Sequence, residues 1–326
     1  MKKSLASLGL SLVLLITIGI NVQAPKAAQV PHTIYVMNRL ADTISVVDGV
    51  TFVVAATIQT NRNPREILVD VSKDVAYFSS QWENTVSVID LRSRKELARI
   101  PAPGGPHGLA LSADGETLFS AATGGQAINV IDLATRQFVA SIPVGEYPGM
   151  LHRSPDKTRL YTGHEFGGTI SVIDIARRAV IATIPVGRKP IDLAISPDGR
   201  EIFVGNQDDD SVTVIDAATH AVTATVKLPE RSAPNHLRYS PDGKTVFISS
   251  VRPGAGVLRM NSATRKITGH LPMDRFCGGM NFSPDQRVLY ITDFPGGTIS
   301  QVDPETMKVT RTLHTGAGAA SPQVAE

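Results

Sequence analysis

The sequence predicts an all-β fold, a seven-bladed β-propeller with four antiparallel strands per blade. Three observations predict it. A short strand that ends in an acid, Thr43-Ile44-Ser45-Val46-Val47-Asp48, returns in shortened form at Asp90, Asp132, Asp174 and Asp216, 42 residues apart each time (90−48, 132−90, 174−132, 216−174). The sixth and seventh copies place Asn261 and Asp303 there, at spacings of 45 (261−216) and 42 (303−261). Each copy also holds four short strand-like runs separated by turn residues, and four strands in ~40–45 residues is the content of one propeller blade.

The copy that begins at Pro190 shows the elements in order. Pro190 to Ile195 is a first strand, and Ser196-Pro197-Asp198-Gly199 is a tight turn with Pro and Gly where a reversal needs them. Glu201 to Val204 is a second strand, followed by a polar loop from Asn206 to Asp210. Ser211 to Ile215 is a third strand, apolar in a run because a strand buried on both faces does not alternate. The acid that closes it, Asp216, is expected to accept backbone N–H groups of the next turn, and its six counterparts share that structural role. Val222 to Val226 is the fourth strand. A single four-stranded sheet cannot bury both faces, whereas seven in a ring bury them against one another.

The chain enters the first copy at Thr33-Ile34-Tyr35-Val36, which corresponds to a second strand, so blade one lacks its innermost strand. The tail, Ser321-Pro322-Gln323-Val324-Ala325, resembles the missing piece and is expected to return and close the ring.

Domain organisation follows. Residues 29–326 read as a single propeller, although 326 residues would by length alone suggest two domains. Residues 1–28 read as a secretory signal peptide: Met1-Lys2-Lys3, an apolar run from Leu8 to Ile20, then small residues at Ala24, Ala27 and Ala28. The run is short for a membrane span, which takes ~20 residues. The expectation is therefore a periplasmic or secreted protein with no transmembrane domain once the signal is cleaved. The net charge of +2 and the lack of a basic block argue against a nucleic-acid partner. Cys277 is the single cysteine, so no internal disulfide can form, and it reads as a small buried residue.

Tyr35-Val36-Met37-Asn38, Tyr161-Thr162-Gly163-His164 and Tyr290-Ile291-Thr292-Asp293, together with Val-Ile-Asp, Ala182 to Gly187 and Ser-Pro-Asp-Gly, resemble the bacterial YVTN β-propeller repeats over residues 33–326. The resemblance implies a seven-bladed, usually exported propeller. It implies no single activity: such propellers include adhesion modules, binding proteins, lactonase-like and lyase-like enzymes, and domains that hold a haem. Function must be argued from the site.

Strand direction sorts the loops. The turns between strands one and two are stereotyped, whereas the loops between strands two and three and the crossings between blades vary, which suits recognition. The variable face carries Trp82 and His164, and both length changes fall there, near Leu228 to Ala233 and Arg252 to Gly256. The innermost strands bring Arg65, Glu66, His107, His152, Asp192, Asn235, His236 and Arg238 towards the axis, and a concave mouth with converging polar groups is the expected site. The predicted ligand-binding residues are Arg65, Trp82, His107, His152, His164, Asp192, Asn235, His236 and Arg238. His107, His152 and His236 are the candidate metal ligands, since imidazole with a carboxylate suits several transition metals. No HxxxH, CxxCH or GxSxG motif is present. The reading is therefore a monomeric, non-catalytic binding propeller for a protein, peptide or small ligand, with no cofactor assumed. The alternatives are a metal-assisted hydrolase or lyase of lactone-like substrates, and a haem or redox accessory.

Overall fold

The computed structural model describes residues 30–60 and 62–325; the expected signal peptide, 1–28, lies outside the described residues. Seven four-stranded antiparallel sheets form the seven blades of the ring. Blade five, as an example, runs Pro190–Ile195, Glu201–Asn206, Ser211–Asp216 and Val222–Lys227 in spatial order from the axis outward. The fold class matches the sequence reading. Among the described residues no helix is long and apolar enough to cross a membrane.

The core is sevenfold as well. Seven apolar clusters form, one at each junction between neighbouring blades. The row Ile67, Leu109, Leu151, Leu193, Leu237 and Met280 supplies one buried residue to each of six junctions. Second strands prove as buried as third strands, while fourth strands face solvent along much of their length. This is the burial order expected when each sheet is covered by its two neighbours and only its outer edge is free.

The seven closing residues do what the repeat suggests. Asp48, Asp90, Asp132, Asp174, Asp216, Asn261 and Asp303 each accept a backbone N–H from the residue three positions on. The Ser-Pro-Asp-Gly turns also close on themselves. Ser196 Oγ donates to Asp198 at 2.6 Å and accepts the Arg200 and Glu201 N–H groups, and Ser240 and Asp242 repeat the pattern.

The C-terminal strand, Ala319–Ala325, pairs with Thr33–Asn38 and becomes the inner strand of blade one. It begins two residues earlier than the sequence suggests. Ala319 pairs with Asn38, just as Pro106 pairs with Ala122 in blade three. Gly278 and Gly279 of blade seven make room for it: a Cβ on Gly278 would stand 2.4 Å from the Ala319 carbonyl oxygen. On the other side, Ser321 Oγ donates to Glu66 at 3.0 Å and Gln323 Nε2 at 3.4 Å, so the tail is tied to the inner strand of blade two.

Candidate functional site

The inner strands are irregular in a way that builds the site. Each strays from register with its second strand near its start, for example between Pro64 and Ile67, Pro106 and Leu109, and Pro234 and Leu237. Such a bulge breaks the strict alternation of side chains and can re-aim them. Consecutive residues Asn235 and His236 accordingly both line the channel mouth. The freed backbone groups find side-chain partners: Glu66 N–H donates to Ser79 Oγ at 3.1 Å and His236 N–H to Ser249 Oγ at 3.1 Å. Ser79 and Ser249 occupy the third place of the YVTN tetrapeptide, so that place serves the bulge.

All seven blades contribute to one cavity of about 170 Å³ at the mouth on the variable-loop side. Arg39 and Ala320 come from blade one, Arg65 from blade two and His107 from blade three. Met150 and Glu165 come from blade four, Ile191 from blade five, Asn235 and His236 from blade six, and Phe276, Gly278 and Phe294 from blade seven. Of the residues predicted from the sequence, Arg65, His107, Asn235 and His236 meet here.

Three of them differ in environment. His107 Nδ1 and Arg65 Nε are buried with no hydrogen-bond partner among the described residues. Burial, followed by the nearby guanidiniums of Arg65 and Arg39, pushes the His107 imidazole well below its usual range, so the ring is neutral near pH 7. Asn235 is spent on structure, donating to the Cys277 carbonyl at 3.2 Å.

One layer deeper, Asp192 lies between two imidazoles. His152 Nε2 stands 2.5 Å from Oδ1 and His236 Nδ1 3.2 Å from Oδ2, and the Leu193 and Leu237 N–H groups donate to the same two oxygens. Burial opposes ionisation of Asp192, but the two imidazoles outweigh it and hold the carboxyl far below the ordinary carboxylate range. His152 and His236 thus meet on Asp192, whereas His107 sits on another wall. Among the described residues, no three His, Cys, Asp or Glu side chains are placed to hold a metal ion together. Arg238 is directed to a neighbouring blade, its Nε donating to the Met280 carbonyl at 3.2 Å.

His152, Asp192 and Arg238 thus lie behind the cavity lining, and the other two residues of the predicted set, His164 and Trp82, lie elsewhere. His164 is fully buried at the end of a second strand. Its Nδ1 contacts Thr169 Oγ1 at 2.7 Å, and the Gly145 N–H donates to its Nε2 at 3.3 Å. Asn206 makes the equivalent contacts to Ser211 and from Gly187, so His164 fills the fourth place of the tetrapeptide as a clamp between blades. Trp82 stands on the variable face with 71% of its surface exposed, and Phe166, which packs on Tyr147 at 4.8 Å, is 67% exposed.

The site set predicted from the sequence leaves out Arg39 and Glu165. Both directly follow the fourth letter of the tetrapeptide, Asn38 and His164, as Phe294 follows Asp293. Reading that next position across the repeats would have found all three. The polar run at Asp208-Asp209-Asp210 is structural in part: Asp209 holds Arg188 at 2.6 Å, and Asp210 accepts the Ala233 N–H at 2.7 Å. The two longer loops of blade six meet over a second cleft of about 410 Å³, lined by Pro229 to Ser232 and Pro253 to Ala255.

Comparison with known proteins agrees with the geometry. A family model described as a YNCE-like beta-propeller matches residues 68–159. Among solved structures, the chain is similar to hydrazine synthase of Kuenenia stuttgartiensis (21% identity, TM-score 0.71, covering 81% of this chain and 95% of that one). It is also similar to a functionally unknown protein from Desulfotomaculum acetoxidans DSM 771 (15%, TM-score 0.73, 89% and 99%). A third likeness is to dihydro-heme d1 dehydrogenase NirN in complex with DHE (16%, TM-score 0.66, 89% and 74%). At these identities the likeness is one of fold. No curated protein sequence matches. Seven repeat-built blades make this chain a seven-bladed β-propeller, and residues 68–159 of it match the YNCE-like beta-propeller model.

Proposed function

We propose that the chain is a binding propeller that works outside the cytoplasm and takes a small ligand in the mouth of its channel. The observation that carries this reading is the convergence of all seven blades on one cavity whose buried polar atoms, on His107 and Arg65, lack partners among the described residues. Buried polar atoms are normally satisfied, so such a cluster in a concave mouth points to a partner that arrives from outside. A binding role is preferred to a catalytic one because Asp192, the buried carboxylate flanked by two imidazoles, is a weak base and is already engaged. Each oxygen of Asp192 accepts both an imidazole and a backbone N–H, which leaves it little freedom to take a proton from a substrate. The signal-like start of the sequence supports export, and N-terminal sequencing of protein from the cell-envelope fraction tests it.

Native mass spectrometry on protein purified from its own host tests the binding reading. A retained small molecule in the wild type, absent from an Ile191→Trp variant that fills the mouth, is the expected result. Mass identical to the bare chain in both sinks it. A stoichiometric metal or a Soret band would favour the metal-assisted or haem alternative instead.

A further inference from the structure

We infer that the mouth is an oxyanion seat: Arg39, Arg65 and His107 hold the carboxylate or phosphate group of a small organic ligand. This rests on the reading of the mouth as a ligand site and adds the chemistry that it selects. The three side chains come from blades one, two and three, so one arc of the mouth is lined by nitrogen donors. Arg39 Nε, Arg65 Nε and His107 Nδ1 are all buried and all without a hydrogen-bond partner among the described residues. Unsatisfied buried groups of this kind cost free energy, more so when charged, and the two guanidinium N–H groups create a strong demand for an acceptor, which the Nδ1–H tautomer of His107 joins.

Among the described residues no carboxylate meets that demand. Neither arginine forms an ion pair among the described residues. Glu66 is turned to the C-terminal strand, where it accepts Ser321 and Gln323. Glu165 comes from blade four, and burial raises its carboxyl above the usual range, with Lys189 and then Arg65 opposing. Arg39 and Arg65 also repel each other: burial, then Arg65, pushes the Arg39 guanidinium down to about 10. An oxyanion between them relieves both the repulsion and the unmet donors, and a planar guanidinium matches its geometry with paired N–H groups. Arg39 is held in place by the Phe294 ring, 5.3 Å from its guanidinium carbon. The next arc of the mouth presents the apolar side chains of Met150 and Ile191 beside Glu165. The ligand therefore carries an oxyanion at one end and a compact apolar body at the other.

Isothermal titration calorimetry on the folded chain, in a zwitterionic buffer at low ionic strength, tests this with succinate, inorganic phosphate and neutral succinamide. Succinate or phosphate should saturate, and succinamide should not; which anion binds more tightly distinguishes a carboxylate from a phosphate ligand. Arg65→Gln and Arg39→Gln should each weaken binding about tenfold or more, as the loss of a charge-assisted hydrogen bond predicts. Arg92→Gln, an exposed change paired with Asp74 outside the mouth, should leave binding unaltered. Melting curves confirm that each variant is folded. The inference is overturned if neither anion saturates, or if Arg65→Gln binds as the wild type does. The two readings fail differently. A neutral ligand lost in Ile191→Trp but kept in Arg65→Gln preserves the mouth and refutes the oxyanion seat. Binding untouched by Ile191→Trp refutes the mouth itself.

Discussion

His152 Nε2 lies 2.5 Å from Asp192 Oδ1, a contact that joins the inner strands of blades four and five at the channel wall. His236 of blade six completes the set from the other oxygen. A single buried carboxylate thus spans three blades, and the sequence separations of 40 and 44 residues (192−152, 236−192) are one blade each.

Replacing Asp192 with Asn should therefore destabilise the ring by about 2 kcal/mol, the scale of leaving buried donors poorly matched. The effect depends on pH. The folded carboxyl is depressed, so its contribution is present above the unfolded value of ~3.9 and is lost as pH falls below it towards the folded value. Denaturant titrations should show wild type and Asp192→Asn converging as the pH drops below about 4. A constant gap from pH 7 to pH 3 would contradict the assignment.

Glu66 behaves in the opposite sense. Burial raises its carboxyl, so the ionised form costs the fold stability at neutral pH. Glu66→Gln can still accept from Ser321, and it should raise the unfolding midpoint at pH 7. That advantage should vanish in acid, below the unfolded pKa of ~4.3, where the wild-type carboxyl is protonated in both states. Removing residues 319–326, by contrast, strips blade one of its inner strand and should abolish a single cooperative transition, as read by circular dichroism.

The junction row and the rim should separate cleanly. Leu193 is buried between blades four and five, and Leu193→Ala should cost about 3 kcal/mol through lost burial and a cavity. Trp82 is exposed, and Trp82→Ala should change stability by less than about 0.5 kcal/mol. Chemical denaturation of the two variants in parallel decides this.

Cys277 is fully buried beside Met273, and burial pushes its thiol up to about 12. A thiol reagent at pH 8 should leave the folded chain unmodified and label it rapidly in denaturant. Fast labelling of the native protein would mean that the junction between blades six and seven opens.

Blade count, strand order, ring closure and the turn-capping acids were legible in the sequence, because each is set by local chemistry printed seven times: a β-branched run, a Pro and Gly turn, an acid three residues before an N–H. The Leu193 row was legible for the same reason. The channel was only half legible. Arg65, His107, Asn235 and His236 could be placed by aligning the repeats, but the alignment could not show that a bulge turns consecutive residues of one strand into the mouth. Nor could it separate His164, a buried clamp between blades, from His236, which faces the channel, since both are polar residues on short strands. The meeting of Arg39 with Arg65, and of His152 with Asp192 and His236, exists only once the ring is closed. Residues 26 to 44 positions apart (65−39, 192−152, 236−192) become neighbours when every blade offers the same depth to one axis, and no local pattern encodes which of them will be left without a partner there.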